Sequence, residues 1–371
     1  MQVTVYRLQL FKPSEGFIAG QARALPTASP QLVGRSVFGS PDPTLPFWIP
    51  PNLKGWSLGR FILTSSPGPF EGAVRAHRAQ LIHAHFSIDG LYALPLARRL
   101  DCPLITTLHG FDVTTSKEYL LRSGRPALVR YALLQDRLKS AGAHFICVSR
   151  YIYDAALRAG FPEDRLSVHY IGINTAEFEP AAPSDSPRLV HVARLVEKKG
   201  TRYVIEAIAH IRRKFPEIRA DIIGDGPLRR SLREQAQRLG VDDCICFHGV
   251  QPHNRVRAML KGATALVLPS VTAKSGDSEG LGLVLLEASA AGVPVIGTRH
   301  GGIPEAIREN ESGLLVPERD SGAIADAIDS LISNPSLRAR MGHAARKLAC
   351  ESFDIHTQSS KLEGIYHRVC H

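Results

Sequence analysis

The sequence predicts an α/β protein of two doubly wound, Rossmann-like parallel-sheet domains. Three observations carry that prediction. Short apolar runs bounded by Gly, Pro and polar residues alternate with stretches of helical periodicity along most of the chain. Strands separated by helices need crossover connections, and these give parallel sheets covered on both faces. The alternation stops at NTAEFEPAAPSDSP (174–187), where Pro, Ser and Asp take over, and then begins again. Finally, 371 residues exceed one ordinary core and suit two domains.

Taken in order, the strands expected in the first half are QVTVYRL, FILTSS, LIHAHFS, PLITTLHG, HFICVS and LSVHYIG, with helices over GLYALPLARRL and YIYDAALRAG. The second half reads as strand RLVHVAR, helix TRYVIEAIAHIRRKF, strand ADIIGDG, helix PLRRSLREQAQRLG and strand CICFHGV. A helix over NRVRAMLKG, strand ALVLPS, a helix after Gly282, strand PVIGT and a helix near SGAIADAIDSLIS complete the series. The expected organisation is therefore a first domain over 1–173, a linker over 174–187 and a second domain over 188–350. A C-terminal helix within 351–371 is expected to pack back toward the first domain. Two such domains leave a cleft, and in open α/β sheets ligands sit at the carboxyl ends of strands.

The bulk properties exclude several classes. The chain opens without the apolar core of a signal peptide, and no apolar run approaches 18 residues, so no transmembrane helix is expected. A cytoplasmic protein, or one peripheral on the inner face of the membrane, is the expectation. Six cysteines (102, 147, 244, 246, 350 and 370) include no CxxC pair and read as reduced and structural. Cys244 and Cys246 are expected on one face of a buried strand. The net charge of +10 favours anionic partners. It is spread along the chain without a nucleic-acid module, so nucleic acid is not expected.

Four strand ends in the second half carry chemistry. In VARLVEKKGT, Arg194 and Lys199 leave a strand end where a guanidinium fork and an ammonium suit a diphosphate. In IIGDGPL, Gly224 and Gly226 allow close backbone approach, but the third glycine of a dinucleotide fingerprint is missing. FHGV brings Val250 to an edge where backbone groups can meet a base. The fourth is EGLGLVLLE, where Gly280, Leu281 and Gly282 precede a helix whose free amides favour an anion. Glu279 stands before that pole and Glu287 eight residues on, about 12 Å along a helix axis. Carboxylates accept hydrogen bonds from vicinal hydroxyls, so one glutamate on each side of a diphosphate suits a nucleotide sugar. A glycosidase pair fits poorly, because its carboxylates stand about 5 to 9.5 Å apart. The plain alternatives are solvated loop cations, one surface glutamate and one acid at a helix start.

In the first half, LITTLHGFDVT places His109, Gly110 and Asp112 beyond a strand. LIHAHFSIDG puts His83 and His85 on one strand face, with His83 in the core and His85 a candidate for an acceptor pocket. No acidic or cysteine companions argue for a metal there. KPSEGFIAGQ contributes Glu15 and Gly16. Residues 117–139 mix apolar residues with six basic and two acidic ones. That pattern suits an anionic membrane surface, or else an ordinary surface helix with solvated arginines.

EGLGLVLLE followed by AGVPVIGT and GGIPEAI, with RLVEKKG and IGDGPL upstream, resembles the retaining glycosyltransferases of family 4, whose fold is GT-B. The match covers nearly all of 188–345 in the expected order. The resemblance implies that Arg194 and Lys199 hold the donor diphosphate, that Glu279 contacts the transferred sugar and that Glu287 binds the ribose. It implies that the amides of Gly280, Leu281 and Gly282 cap the phosphate. Many relatives have Phe where this chain has Leu281. His109 would approach the donor sugar on domain closure, giving positioning and electrostatic support, and Asp112 would orient it or touch the acceptor. The Ser14–Phe17 stretch resembles the bacterial exopolysaccharide subgroup with Gly16 replacing a Thr, which leaves a backbone role toward the donor, and Glu15 lies on the acceptor side. The implied reaction is metal-independent transfer of a hexose from a UDP- or GDP-sugar to a saccharide or lipid-linked acceptor in polysaccharide biosynthesis, with no cofactor. A sugar-nucleotide epimerase or hydrolase, and an inactive sugar-nucleotide-binding scaffold, stay open as alternatives.

Overall fold

The structure is a computed structural model that describes residues 1–182 and 186–371. The expected linker over 174–187 thus falls in part, at 183–185, outside the described residues. The chain forms two compact units. One comprises Met1–Gly172 with Ile355–His371, and the other Ile173–Asp354.

The strands of the first unit are β1 (Gln2–Tyr6), β2 (Gln9–Leu10), β3 (Ser29–Val33), β4 (Ser36–Val37), β5 (Phe47–Trp48), β6 (Leu81–His85), β7 (Leu104–Leu108), β8 (His144–Cys147) and β9 (Leu166–Val168). Seven make one sheet in the order β5-β3-β1-β6-β7-β8-β9, and β2 pairs only with β4. All the pairings are parallel. Both faces of β6 and β7 are buried, which is why LIHAH and LITTL carry little charge. The helices are α1 (Gly16–Arg23), α2 (Gly55–Thr64), α3 (Gly68–Ala76), α4 (Ser87–Leu100), α5 (Phe111–Thr114), α6 (Lys117–Arg122), α7 (Pro126–Lys139) and α8 (Arg150–Arg158).

The second unit holds β10 (Arg188–Val192), β11 (Arg219–Ile223), β12 (Ile245–Gly249), β13 (Ala265–Leu268), β14 (Val295–Thr298) and β15 (Gly313–Val316). They form a six-stranded sheet ordered β12-β11-β10-β13-β14-β15. Its helices are α9 (Thr201–Ile211), α10 (Arg229–Arg238), α11 (His253–Leu260), α12 (Leu283–Ala290), α13 (Ser321–Ser333) and α14 (Pro335–Ser352). In α9, Val204, Ile205, Ile208 and Ile211 recur at helical spacing and pack on Leu189, Ile222 and Ile328. Asp320 and Asn334 cap α13 and α14 by accepting the amides of Ala323 and Leu337.

The last helix, α15 (Ile355–Cys370), belongs to the first unit. Leu362, Ile365 and Tyr366 join the core around Val3, Val5 and Leu81. The Tyr366 hydroxyl meets His83 Nδ1 at 2.7 Å, and Glu363 accepts from the Thr27 hydroxyl at 2.5 Å.

Several expectations change. FILTSS is not a strand: Phe61 to Thr64 finish α2, and Ser65 is left-handed at φ 53°. Phe61 turns inward against Phe70 and Tyr92, with ring centroids 5.3 Å from each. The strand beside β1 is instead SPQLV, which Ser29 and Pro30 disguise. Cys244 and Cys246 do not share a buried face. Cys244 is buried just ahead of β12, whereas Cys246 is exposed, because β12 is the edge of its sheet. The described part of 174–187 is anchored: Phe178 is buried, and Thr175 Oγ1 donates to Asp354 Oδ2 at 2.7 Å.

Candidate active site

In the second unit, the loops leaving β10, β11 and β12 are sewn together by backbone contacts that only glycine permits. Gly224 sits at φ 128°, where a Cβ would collide with the Ala193 carbonyl, and a Cβ at Gly226 would lie 2.5 Å from that of Leu195. Gly224 N donates to Gly249 O at 2.7 Å and Leu195 N to Asp225 O at 2.9 Å. Val250, the next residue, is exposed. The arrangement leaves Arg194 exposed at the rim.

Lys199 lies just below that rim and is ion-paired to Glu279 Oε2, which also accepts from Ser270 Oγ at 3.2 Å. Burial opposes ionisation of the Glu279 carboxyl. The charges of Lys199 and Lys198 and the hydrogen bonds from Lys199 and Ser270 overcome it, holding the pKa down to about 2. Glu279 is thus a buried carboxylate, 8% exposed, at neutral pH. Burial draws the Lys199 ammonium below its ordinary value; Glu279 opposes this, while the charges of Lys198 and Arg194 add to it. Arg194, Lys199 and Glu279 therefore share one electrostatic neighbourhood.

The backbone of Glu279 is fixed as firmly as its side chain. Its N–H donates to His300 Nε2 at 3.2 Å, and its carbonyl accepts from Gly302 N at 3.0 Å. His300 Nδ1 faces Glu318 Oε1 at 2.8 Å. Lys198, also buried, bonds Asp277 Oδ1 at 2.8 Å and the Ser278 carbonyl at 3.3 Å. Gly280, Leu281 and Gly282 are buried, and Gly282 caps α12 at φ 80°. The first amides of α12 have no acceptor within the helix and point out of its start. Glu287, on α12, is partly exposed and receives His253 Nε2 at 3.2 Å, a hydrogen bond that raises the His253 pKa.

In the first unit, His109 follows β7 and is partly exposed. Its Nε2 meets His85 Nδ1 at 3.1 Å, and Phe86 and Phe17 flank it at 4.4 and 5.2 Å. Burial, then the charges of Arg7 and His83, lower its pKa to about 3. Asp112 and His85 both stand behind this ring. Asp112 is 3% exposed, and its carboxylate accepts the amides of Ser87, His109 and Gly110 at 2.8, 3.1 and 3.1 Å. It closes the turn that carries His109, which is the orienting one of its two expected roles. His85 is 2% exposed and lies behind His109, so it too acts through that ring.

Glu15 is held in the fork of Arg7, at 2.9 and 3.0 Å, and Arg7 also bonds the buried Asp89 at 2.5 Å. Gly16 begins α1 with an ordinary helical φ of −56°, and a Cβ there would meet nothing within 4 Å, so the chain itself does not require glycine. Arg7, Lys12 and Glu15 line a cavity of about 370 Å³ with Leu10, Phe11 and Ile18.

Lys198, Ser270, His300 and Asp89 were not picked out in the sequence. Lys198 and Asp89 stand unremarked within VARLVEKKGT and LIHAHFSIDG, and His300 directly precedes GGIPEAI. Among the described residues, one group holds metal-ligating side chains together: Asp221, Cys246 and His248. Its carboxylate is already met by His248 at 2.6 Å and Arg188 at 3.2 Å.

Known proteins resemble this chain in sequence and fold. The family described as Glycosyl transferases group 1 matches residues 173–348, and that described as Glycosyltransferase Family 4 matches 30–177. AmsK of Erwinia amylovora, an amylovoran biosynthesis glycosyltransferase, is 30% identical over 329 residues, covering 86% of this chain and 79% of its own. The chain belongs to the family 4 glycosyltransferases. WcaL of Escherichia coli (strain K12), named for colanic acid biosynthesis, is 34% identical over 257 residues, 68% of this family 4 chain. The match spans 61% of the length of WcaL. Anabaena HepE, solved in complex with UDP and glucose, superposes with a TM-score of 0.80 at 21% identity over 99% of this chain and 100% of its own. That likeness shows the GT-B fold.

Proposed function

We propose that this family 4 member is a retaining, metal-independent glycosyltransferase. It moves a hexose from a UDP- or GDP-sugar to a saccharide acceptor, a lipid-linked intermediate of cell-surface polysaccharide, at an anionic membrane surface. The observation that carries the reading is the Glu279 carboxylate, kept ionised against Lys199 within the field of Arg194, at the approach to the start of α12. A carboxylate so held accepts hydrogen bonds from sugar hydroxyls. Arg194, Lys199 and the α12 amides stabilise the charge of the departing nucleoside diphosphate. Those cations do the work that a divalent ion does in other transferases. Glu287, just over one turn along α12, takes the ribose hydroxyls. His109 offers an uncharged imidazole, since its pKa of about 3 leaves it neutral at physiological pH. The polysaccharide relatives support the acceptor class, and the complex of HepE with UDP and glucose supports the donor class.

The test is thermal stabilisation by UDP, GDP and their sugar conjugates, with EDTA present, on wild type and Glu287→Ala. A ligand at a hundred times its dissociation constant adds about 2.7 kcal/mol. One nucleotide should stabilise wild type and lose much of its effect in the variant. Stabilisation by none sinks the donor reading. Consumption of the donor without an acceptor would point to a hydrolase or epimerase instead.

A further inference from the structure

Tryptophan is among the side chains least suited to water, yet Trp56 at the start of α2 is 96% exposed. It is not alone. Leu63 is 72% exposed, and Trp56, Arg60 and Leu63 recur at i, i+4 and i+7, so they form one outward stripe of α2. The opposite side of the helix is anchored by Phe61, 1% exposed. Arg130 fixes what lies beside the stripe. Its Nε donates to the Leu63 carbonyl at 2.9 Å, and its guanidinium lies 5.1 Å over the Tyr92 ring, which ties α7 to the end of α2. Leu133, 62% exposed, and Arg137 follow Arg130 by one and two turns of α7.

The charge around this apolar stripe is mostly positive. Residues 43–70 hold Lys54 and Arg60 and no Asp or Glu, and residues 117–139 hold six basic against two acidic residues. The two acids are occupied, Glu118 by Arg122 and Asp136 by Lys139. Among the described residues, no carboxylate lies within ion-pair distance of Lys54, Arg60, Arg125 or Arg137. At the turn between α6 and α7, Tyr119, Arg122, Arg125 and Leu128 line a cavity of about 320 Å³.

We propose that the joined outer face of α2 and α7 docks on an anionic lipid bilayer, with Trp56, Leu63 and Leu133 seated at the headgroup boundary and Arg60 and Arg137 among the lipid phosphates. This deepens the membrane placement in the proposed function and rests on it. Aromatic and long aliphatic side chains interleaved with cations gain from both layers of that boundary. A nucleic acid would use the cations and leave the two leucines in water. A second copy packed face to face would set Arg60 and Arg137 against their own like charges.

The test is co-sedimentation of the full chain with vesicles of phosphatidylcholine alone or mixed equally with phosphatidylglycerol, together with tryptophan emission in a Trp48→Phe background that isolates Trp56. Wild type should partition onto the anionic vesicles at least about tenfold better than onto neutral ones, with a blue shift of Trp56, and lose most of this in 0.5 M salt. Trp56→Ser/Leu63→Ser/Leu133→Ser should lower that partition about tenfold while keeping nucleotide stabilisation. The independent reversal Arg60→Glu/Arg137→Glu should do the same through charge, so a fold defect in one variant leaves the other to decide. If wild type ignores anionic vesicles, the membrane placement itself falls. If wild type binds and both variants bind equally, the membrane placement stands and this surface is wrong. Self-association of wild type that the triple variant abolishes would assign the face to a second copy and overturn the proposal.

Discussion

The amide of Glu279 donates to Nε2 of His300 at 3.2 Å, while the other ring nitrogen faces Glu318 at 2.8 Å. The amide needs an unprotonated Nε2, so the proton sits on Nδ1 and is directed at the carboxylate. A carboxylate 18 residues on thereby sets the tautomer of a ring, and the ring sets the backbone of Glu279.

Removing that ring should loosen Glu279 without removing it. His300→Ala leaves a buried amide without its acceptor, a loss of about 1–3 kcal/mol. We expect a tenfold or larger rise in the apparent dissociation constant of the sugar nucleotide, with a smaller change for the free nucleotide. His300→Gln restores an acceptor and should recover much of it. Isothermal titration of the two ligands against both variants checks this, and an equal loss for both ligands would contradict the assignment.

Gly301 offers a second handle on the same backbone. It sits at φ 59°, and a Cβ there would collide with the Glu279 carbonyl. Gly301→Ala should cost about 1–3 kcal/mol of stability from the left-handed backbone alone, and more from the collision. Donor affinity should fall with it, as read by melting with and without nucleotide.

The Lys199–Glu279 pair predicts a limb of acid sensitivity. The folded pKa of Glu279, about 2, lies below its unfolded value of about 4.3. Its contribution is therefore fully present above pH 4.3 and is lost as pH falls toward 2. It is of order 3 kcal/mol. Glu279→Gln should flatten that limb in urea midpoints taken from pH 5 to 2.5, and should destabilise the protein at pH 7 by leaving Lys199 buried without its partner.

Desolvated histidines give a second limb at higher pH. Burial, as the largest cause, lowers His83 and His109 to about 3 and His191 to about 4. Each binds fewer protons folded than unfolded, so their stabilisation is full above about pH 6.5 and declines as pH falls from there toward 4. His83→Gln should shallow this decline in melting curves between pH 7 and 4. His109→Ala should lower kcat roughly a hundredfold. The wild-type rate should show no ionisation of His109 between pH 5 and 8.

The βα alternation and the strand-end motifs were legible in the sequence because they are local. Apolar runs, glycines at bends and the spacing of Glu279 and Glu287 need no partner to be seen. What escaped depends on distant partners. Asp112 reads equally as an orienting or an acceptor-side carboxylate until Ser87 N, 25 residues away, is found on it. Glu15 reads as an acceptor-side acid until Arg7, itself pinned to Asp89 82 residues on, closes around it. FILTSS has the apolar density of a strand, and only Phe70 and Tyr92 decide that Phe61 is presented from a helix. Lys198 looks like its neighbour Lys199 in the sequence; one is turned to Asp277 and the other to Glu279.

The return of α15 to the first unit bears on the order in which the molecule is made. Synthesis runs from the amino end, and domains usually fold in that order as they emerge. Here Ile173–Asp354 is continuous and is ready to fold as soon as it leaves the ribosome. The strands of the first unit are all made by Val168, but its core is completed later: Tyr366 and Glu363 reach His83 and Thr27 only after some 190 further residues have been added. During that interval the part of the core that Leu362, Ile365 and Tyr366 cover lacks its lid, and the unit translated first is the unit finished last.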